Sequence, residues 1–309
     1  MDMNVIERFE QIVTKENVLE NESMKSHTTF QAGGDARLFV MPRNEEETAK
    51  VISICRESHV DWMILGHGSN LLVSDAGYDG VVIWLKKYMN GCRTVGNEVI
   101  AQAGAMMPTV AREAWKNGLG GLEFASGIPG TVGGGLAMNA GAYGGEMRQV
   151  VKEALVLTKE GTLRTVTNEE LQLTYRHSAV QSEHWIVLQV TFSLQKKDPD
   201  DIKARMDDYN GRRREKQPLE YGSAGSTFKR PEGYFAGKLI EDAGLKGYRI
   251  GDAQVSEKHA GFVINRANAT ASEIWRVCCH VKKTVKEKFG VDLEMEVKTV
   301  GSFDKISEG

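Results

Sequence analysis

Residues Ala125–Gly145 carry eight glycines in 21 positions, yet keep Ile128, Val132, Leu136 and Met138 as apolar anchors. A flexible linker would lack those anchors. Main chain without side chains can approach a ligand closely. The segment therefore reads as backbone wrapped on a large flat ligand that bears a diphosphate, with a glycine-rich structural turn as the alternative. The chain has 33 glycines, well above average usage of about 7%. They cluster at 66–68, 118–121, 127–145 and 222–225, between stretches that look regular.

Bulk properties narrow the class. A chain of 309 residues suggests two or three domains. Its 41% hydrophobic and 26% charged content is that of a soluble globular protein. The formal net charge of -3, with no basic tract, argues against nucleic acid as the main partner. No apolar run approaches the roughly 18 residues that span a bilayer. The first residues, Met1-Asp-Met-Asn-Val-Ile-Glu-Arg8, lack the basic-then-apolar order of a signal peptide, so the expectation is a cytosolic protein without membrane insertion. Cys55, Cys92, Cys278 and Cys279 show no zinc-ligand spacing. They read as buried reduced thiols, and no metal site is expected.

The periodicity predicts an α+β chain. Val5, Ile6, Phe9, Ile12 and Val13 share one face of a helix over 3–15, and an extended region covers 26–41. Asn44 caps a helix to about 59, with three glutamates in its first turn where the dipole favours acids. Strands are expected at 62–65, 71–73, 81–85, 98–101, 151–158, 163–166 and 185–194, with a helix at 107–117 ended by Gly118. A charged helix from Asp198 to Arg214 links this part to a second unit. That unit holds a helix at 236–243, strands at 253–255 and 261–264, a helix at 271–289 and a terminal strand at 293–300.

Four segments could carry chemistry. Gly66-His-Gly-Ser-Asn70 follows a strand, and its amides suit a phosphate. It is not the dinucleotide fingerprint, which needs a third glycine and a following helix. His67 has no identifiable partner and reads as a loop residue, with ligand or flavin attachment as alternatives. Tyr175-Arg176 offers a guanidinium, which grips a carboxylate at two points, though a structural salt bridge fits equally. Gly222–Pro231 sets the Ser226 hydroxyl at the end of a bare turn, followed by Lys229 and Arg230; an ordinary turn is the bland reading. Glu294 and Glu296, two apart in a strand, share a face, which is as often merely solvated.

In order and spacing these segments resemble one family, the UDP-N-acetylenolpyruvoylglucosamine reductases (MurB flavoenzymes). The resemblance covers nearly the whole chain. It runs through His27-Thr-Thr-Phe-x-Ala-Gly-Gly-x-Ala36, Gly66-x-Gly-Ser-Asn70, Gly127-Ile-Pro-Gly-x-x-Gly-Gly134, Asn139-Ala-Gly-Ala-Tyr143, Tyr175-Arg-x-Ser178, Gly225-Ser-x-Phe-Lys-x-Pro231 and Leu293-Glu-x-Glu-Val297. It implies a vanillyl-alcohol-oxidase-type FAD-binding domain followed by a smaller α+β substrate-binding domain. The expected spans are 1–195, with the FAD-binding part at about 27–195, and 196–309, with the last strand (about 292–301) returning to the active site. The implied catalytic trio is Arg176, Ser226 and Glu296. The implied FAD contacts are Gly66, Gly68, Ser69, Asn70, Gly127, Ile128, Pro129, Gly130, Gly133, Gly134, Asn139 and Ala142. Tyr175, Lys216, Lys229 and Arg230 would meet the substrate.

The implied reaction is reduction of UDP-N-acetylglucosamine enolpyruvate to UDP-N-acetylmuramate, in peptidoglycan precursor synthesis, by NADPH through non-covalent FAD. Ser226 would give the proton, and Arg176 and Glu296 would stabilise the enolate. Only Gln195–Asp201 separates the strand near Leu194 from the next helix, so the chain resembles the subclass that lacks an added tyrosine-bearing segment. Two rival readings are a flavin oxidase on the same FAD domain and a non-catalytic sugar-nucleotide binder.

Overall fold

The computed structural model describes residues 3–303; the outer ends of the two expected spans, 1–2 and 304–309, lie outside them. The chain is α+β. A four-stranded sheet has the order Val18–Ser23, Asp35–Val40, Tyr78–Trp84, Trp62–Leu65. Its last two strands run parallel, from Trp62 opposite Val81 to Leu65 opposite Trp84. Asn44 caps the helix Glu45–Glu57 by accepting from the Glu47 N–H at 2.9 Å.

Two compact units form. The first takes the described residues up to Leu19, Leu38–His67 and Gly80–Arg213. Its five-stranded sheet has the order Leu163–Thr167, Val151–Leu157, Ile186–Ser193, Glu98–Gln102, Cys92–Val95, and neighbours are antiparallel. The strand Ile186–Ser193 is buried on both faces, with Leu188, Val190 and Phe192 fully buried, and Met107, Val110, Ala111 and Ala114 of the helix Met107–Lys116 join the same core.

The second unit takes Glu20–Arg37, Gly68–Asp79 and the chain from Arg214 onward. Its four-stranded antiparallel sheet has the order Gly222–Ser223, Val263–Asn265, Ala253–Val255, Arg249–Ile250. The helix Ala271–Phe289 buries Ile274, Val277, Cys278, Val281 and Val285. The Thr270–Glu273 capping box starts it, and Gly290, at φ 69°, ends it.

These units interleave along the chain, whereas the sequence suggests one cut near residue 195. The cause is long-range pairing inside the second unit. Leu71–Val73 runs parallel to Lys298–Val300. Asp75 accepts from the Ala271 and Ser272 N–H groups at 2.7 and 2.8 Å, capping the last long helix. Asn265 donates to the Phe30 carbonyl at 2.8 Å.

Other expectations shift in detail. The terminal strand is Lys298–Val300, with an isolated bridge at Met295, instead of an unbroken 293–300. Cys55 and Cys278 are buried, but Cys92 and Cys279 are only half-buried. Burial pushes the Cys55 thiol up to about 12. Among the described residues no helix is long and apolar enough to cross a membrane, and no group of three His, Cys, Asp or Glu could hold a metal.

Candidate active site

In the first unit, the parallel strands end together and Gly66 follows. The Trp84 indole N–H donates to the Gly66 carbonyl at 2.9 Å. A Cβ on Gly66 would lie 2.2 Å from Thr131 Oγ1. Only glycine permits that approach, which sets this loop directly against the long glycine segment. That segment is stitched down by main-chain bonds: Met107 N–H to Gly130 O at 2.9 Å, Val132 N–H to Ala105 O and Gly133 N–H to Ala103 O, both at 2.8 Å. The expected small-residue helix is Val132–Ala137, and Ala142 pairs with Gly145 in a short hairpin. Bare backbone from two loops, in contact and anchored, fits a group with a diphosphate.

The Asn139 side chain does something the sequence did not reveal. It is buried, at φ 42°, and its amide donates to Glu146 Oε2 at 2.9 Å and to the Thr174 carbonyl at 3.1 Å. Its carbonyl accepts from the Arg148 N–H at 2.9 Å. Thr174 and His177 exchange main-chain bonds of 3.1 and 3.2 Å across the turn that carries Tyr175 and Arg176. Arg176 has φ 56° and lies over the Tyr175 ring at 5.0 Å. Ser178 Oγ donates to the Ala137 carbonyl at 2.8 Å, and Gln181 donates to both Ala137 and Arg176 carbonyls. The guanidinium turn is thus bolted to the end of the small-residue helix, and Asn139 is a positioning residue for it.

Replacing Asn139 by alanine should therefore loosen the turn and the fold together. Three bonds of the buried amide are lost, to a half-buried Glu146 and to the main chain of the exposed residues Thr174 and Arg148, at about 0.5–1.5 kcal/mol net for each. A loss of about 3 kcal/mol in urea denaturation is expected, with a lower kcat. A loss below about 1 kcal/mol would remove Asn139 from this role.

Arg213 was not singled out by sequence, being one of three adjacent arginines. It donates to the Gly127 carbonyl and bonds the hydroxyl of Tyr143, and Tyr143 stacks on Tyr209 with ring centroids 4.7 Å apart. Burial pulls its guanidinium below the usual range, and its Nε is buried without a partner. It pins the start of the long glycine segment, beside Ile128 and Pro129.

In the second unit, the Ser226 segment and the Glu296 segment lie side by side, joined by an isolated bridge. Phe228 bridges Met295, the Glu296 N–H donates to the Thr227 carbonyl at 2.9 Å, and the Lys229 N–H donates to the Glu294 carbonyl at 2.8 Å. Thr227 is fully buried, and its Oγ1 accepts from the Val263 N–H at 2.9 Å. Ser226 is exposed and follows Gly225, whose φ of 74° demands glycine. Of the two neighbouring hydroxyls, Thr227 is structural and Ser226 is open for chemistry. Asn70 donates from its side chain to the Glu296 carbonyl at 3.1 Å and accepts the Lys298 N–H at 3.0 Å. A residue of the first glycine loop thereby fixes the acid segment.

The remaining expected contacts divide. Lys229 pairs with Glu294, so its charge is compensated within the protein. The Arg230 guanidinium lies 4.0 Å over the Phe235 ring. Lys216 is the exposed last residue of the helix Pro199–Lys216. Ser69 lies in the turn between Gly68 and Asn70. The structure brings Ser226 and Glu296 onto paired backbone, and Arg176 belongs to the other unit.

Comparison with known proteins now bears on these groups. Residues 217–300 match the model of the UDP-N-acetylenolpyruvoylglucosamine reductase C-terminal domain, and 36–167 match an FAD binding domain. A UDP-N-acetylenolpyruvoylglucosamine reductase of Clostridium novyi is 52% identical over 299 residues, covering 97% of each chain. One from Clostridium botulinum is 53% identical over 298 residues, covering 96% of this chain and 97% of that one. The crystal structure of the Thermus caldophilus enzyme (MurB) superposes with a TM-score of 0.78 at 33% identity, covering 92% of this chain and 98% of that one. An alkyldihydroxyacetonephosphate synthase shares only the fold, with a TM-score of 0.50 at 15% identity over 63% of this chain and 41% of that one. The FAD-binding domain and a smaller C-terminal domain are both present. With half of both Clostridium chains reproduced residue for residue from end to end, the chain belongs to the family of UDP-N-acetylenolpyruvoylglucosamine reductases, FAD-dependent oxidoreductases.

Proposed function

We propose that the protein uses NADPH to reduce UDP-N-acetylglucosamine enolpyruvate to UDP-N-acetylmuramate, in the cytoplasm, for peptidoglycan precursor synthesis. The observation that carries this reading is the backbone pairing of the Ser226 and Glu296 segments, with Phe228 opposite Met295 and the Glu296 N–H on the Thr227 carbonyl, and with Asn70 of the cofactor loop bonded to the Glu296 carbonyl. A hydroxyl, an acid and a cofactor loop are held in one constellation that a simple binding protein would not need.

FAD, when bound without a covalent link, supplies the hydride that adds to the terminal carbon of the enolpyruvyl double bond. The glycine loops at 66–70 and 127–134 would hold FAD, offering main-chain amides to its diphosphate. Negative charge then builds on the carboxylate side of the substrate. Arg176, a permanent cation, and Glu296, carrying or sharing a proton, stabilise it. Ser226 Oγ delivers a proton to the adjacent carbon, completing addition of hydride and proton across the double bond. Lys216 and Arg230 meet the substrate diphosphate, and the compensated Lys229 supports the loop between them. The buried position of Thr227 keeps that loop fixed while Ser226 exchanges its proton.

Anaerobic absorbance spectroscopy tests this reading. The purified protein should be yellow, and acid should release all the flavin into the supernatant. NADPH should bleach the bound flavin, and the enolpyruvyl substrate should restore the colour. A colourless protein that binds the UDP-sugar would establish the binding module instead. Rapid reoxidation by air without substrate would establish an oxidase. Colour retained on the acid pellet would point to attachment, at His67 first.

A further inference from the structure

We infer that His67 and Lys86 form a paired cationic anchor for a phosphate of the bound dinucleotide cofactor, an inference that rests on the flavin reading above. The register of the parallel strands sets up the pair. Leu65 lies opposite Trp84, and the Leu85 N–H donates to the Leu65 carbonyl at 3.2 Å. Counting two residues past that level brings His67 opposite Lys86. Their side chains meet with Nδ1 and Nζ 2.8 Å apart. Both project where two parallel strands end, the edge at which open sheets receive ligands.

Proton placement follows from the contact. An ammonium has only donors, so the His67 Nδ1 must be the acceptor. The imidazole is then neutral with its proton on Nε2. Burial and the neighbouring Lys86 charge both hold His67 below the usual histidine range, and burial also lowers Lys86. No acidic side chain among the described residues pairs with either one. A half-buried cation without an acid is an expensive arrangement unless an anion completes it. The pair offers the Nε2–H and the remaining ammonium hydrogens, all donors, which suits phosphate oxygens and repels cations. His67 lies between Gly66 and Gly68 in the loop already read as a phosphate cradle. A carboxylate ligand would be served by the same donors, so the test must separate cofactor from substrate.

The FAD dissociation constant is measurable from flavin fluorescence on serial dilution of the holoenzyme, at several salt concentrations. Lys86→Met keeps the aliphatic length and removes the charge. It should weaken FAD about tenfold to a hundredfold, the range of one charge-assisted hydrogen bond, and flatten the salt dependence. His67→Leu should weaken FAD as well, and the double variant should fall short of the sum, because the two act as a unit. Lys86→Arg, retaining the charge, should keep the salt dependence and guards against a general folding defect. Wild-type FAD affinity and salt slope in Lys86→Met would overturn the inference. So would an unchanged FAD constant with a raised KM for the UDP-sugar, which would assign the pair to the substrate. A wild-type protein that binds no FAD would instead overturn the flavin reading itself.

Discussion

In Ser226→Ala, NADPH is expected to bleach the flavin at close to the wild-type rate, while reoxidation by UDP-N-acetylglucosamine enolpyruvate slows by about 10²–10⁴-fold, the loss typical of a general acid. The structure explains why the two half-reactions should separate. The Thr227 hydroxyl, not that of Ser226, ties the loop to Val263, and Thr227 main-chain atoms pair it with Gly261 and Glu296. Removing an exposed hydroxyl next to these anchors leaves the loop in place. Stopped-flow absorbance of the flavin reports both rates in one protein. Near-normal reoxidation would mean that another group or a water supplies the proton, and the role given to Ser226 would fall. Thr227→Ala is the contrasting change: it removes a buried acceptor from Val263 N–H, and its effect should be on stability and on both half-reactions.

The sequence was most legible where its signals are local. The helix Ala271–Phe289 has the predicted bounds because a capping box and a left-handed glycine mark both ends within a few residues. Asn44 likewise announces its helix. The strand Val18–Ser23 was not foreseen, since Glu20, Asn21 and Glu22 interrupt any apolar alternation. The interleaving of the two units was equally hidden. It depends on Leu71–Val73 meeting Lys298–Val300 and on Asp75 reaching the start of a helix nearly two hundred positions away, and no local period records such pairing. The site shows the same division. The motifs that carry the family resemblance singled out Arg176, Ser226 and Glu296 as candidates, because glycines and a hydroxyl in a run are visible in one dimension. The groups that support them were invisible for the opposite reason. Asn139 looked like one more residue of a ligand loop, yet its side chain serves the Arg176 turn. Lys86 is an unremarkable lysine until the strand register places it on His67.

The largest expected loss of cofactor belongs to Gly68→Ala. Gly68 has φ +65°, and a Cβ there would lie 2.0 Å from the His27 carbonyl oxygen and 2.9 Å from the Thr28 Cα. Those atoms are backbone, so no side chain can swing aside. The Thr29 N–H also donates to the Gly68 carbonyl at 3.2 Å, which couples any shift of the loop to the 27–29 segment. Left-handed conformation alone costs a non-glycine residue about 1–2 kcal/mol, and the overlap must be relieved by moving main chain on top of that. Displacement of Gly68 carries with it Ser69 and Asn70, and therefore the bond from Asn70 to the Glu296 carbonyl. The variant should purify with little or no flavin and with a lowered Tm. Gly96→Ala separates conformational strain from overlap. Gly96 has a similar φ of +60° in a hairpin of the five-stranded sheet, with nothing within 4 Å of an added Cβ. It should lose about 1 kcal/mol of stability and keep its full complement of flavin. Equal flavin content in the two variants, measured as the ratio of flavin to protein absorbance after gel filtration, would show that the 66–70 loop does not hold the cofactor. A colourless Gly68→Ala beside a yellow Gly96→Ala would tie cofactor binding to the close packing of that loop on residues 27 and 28.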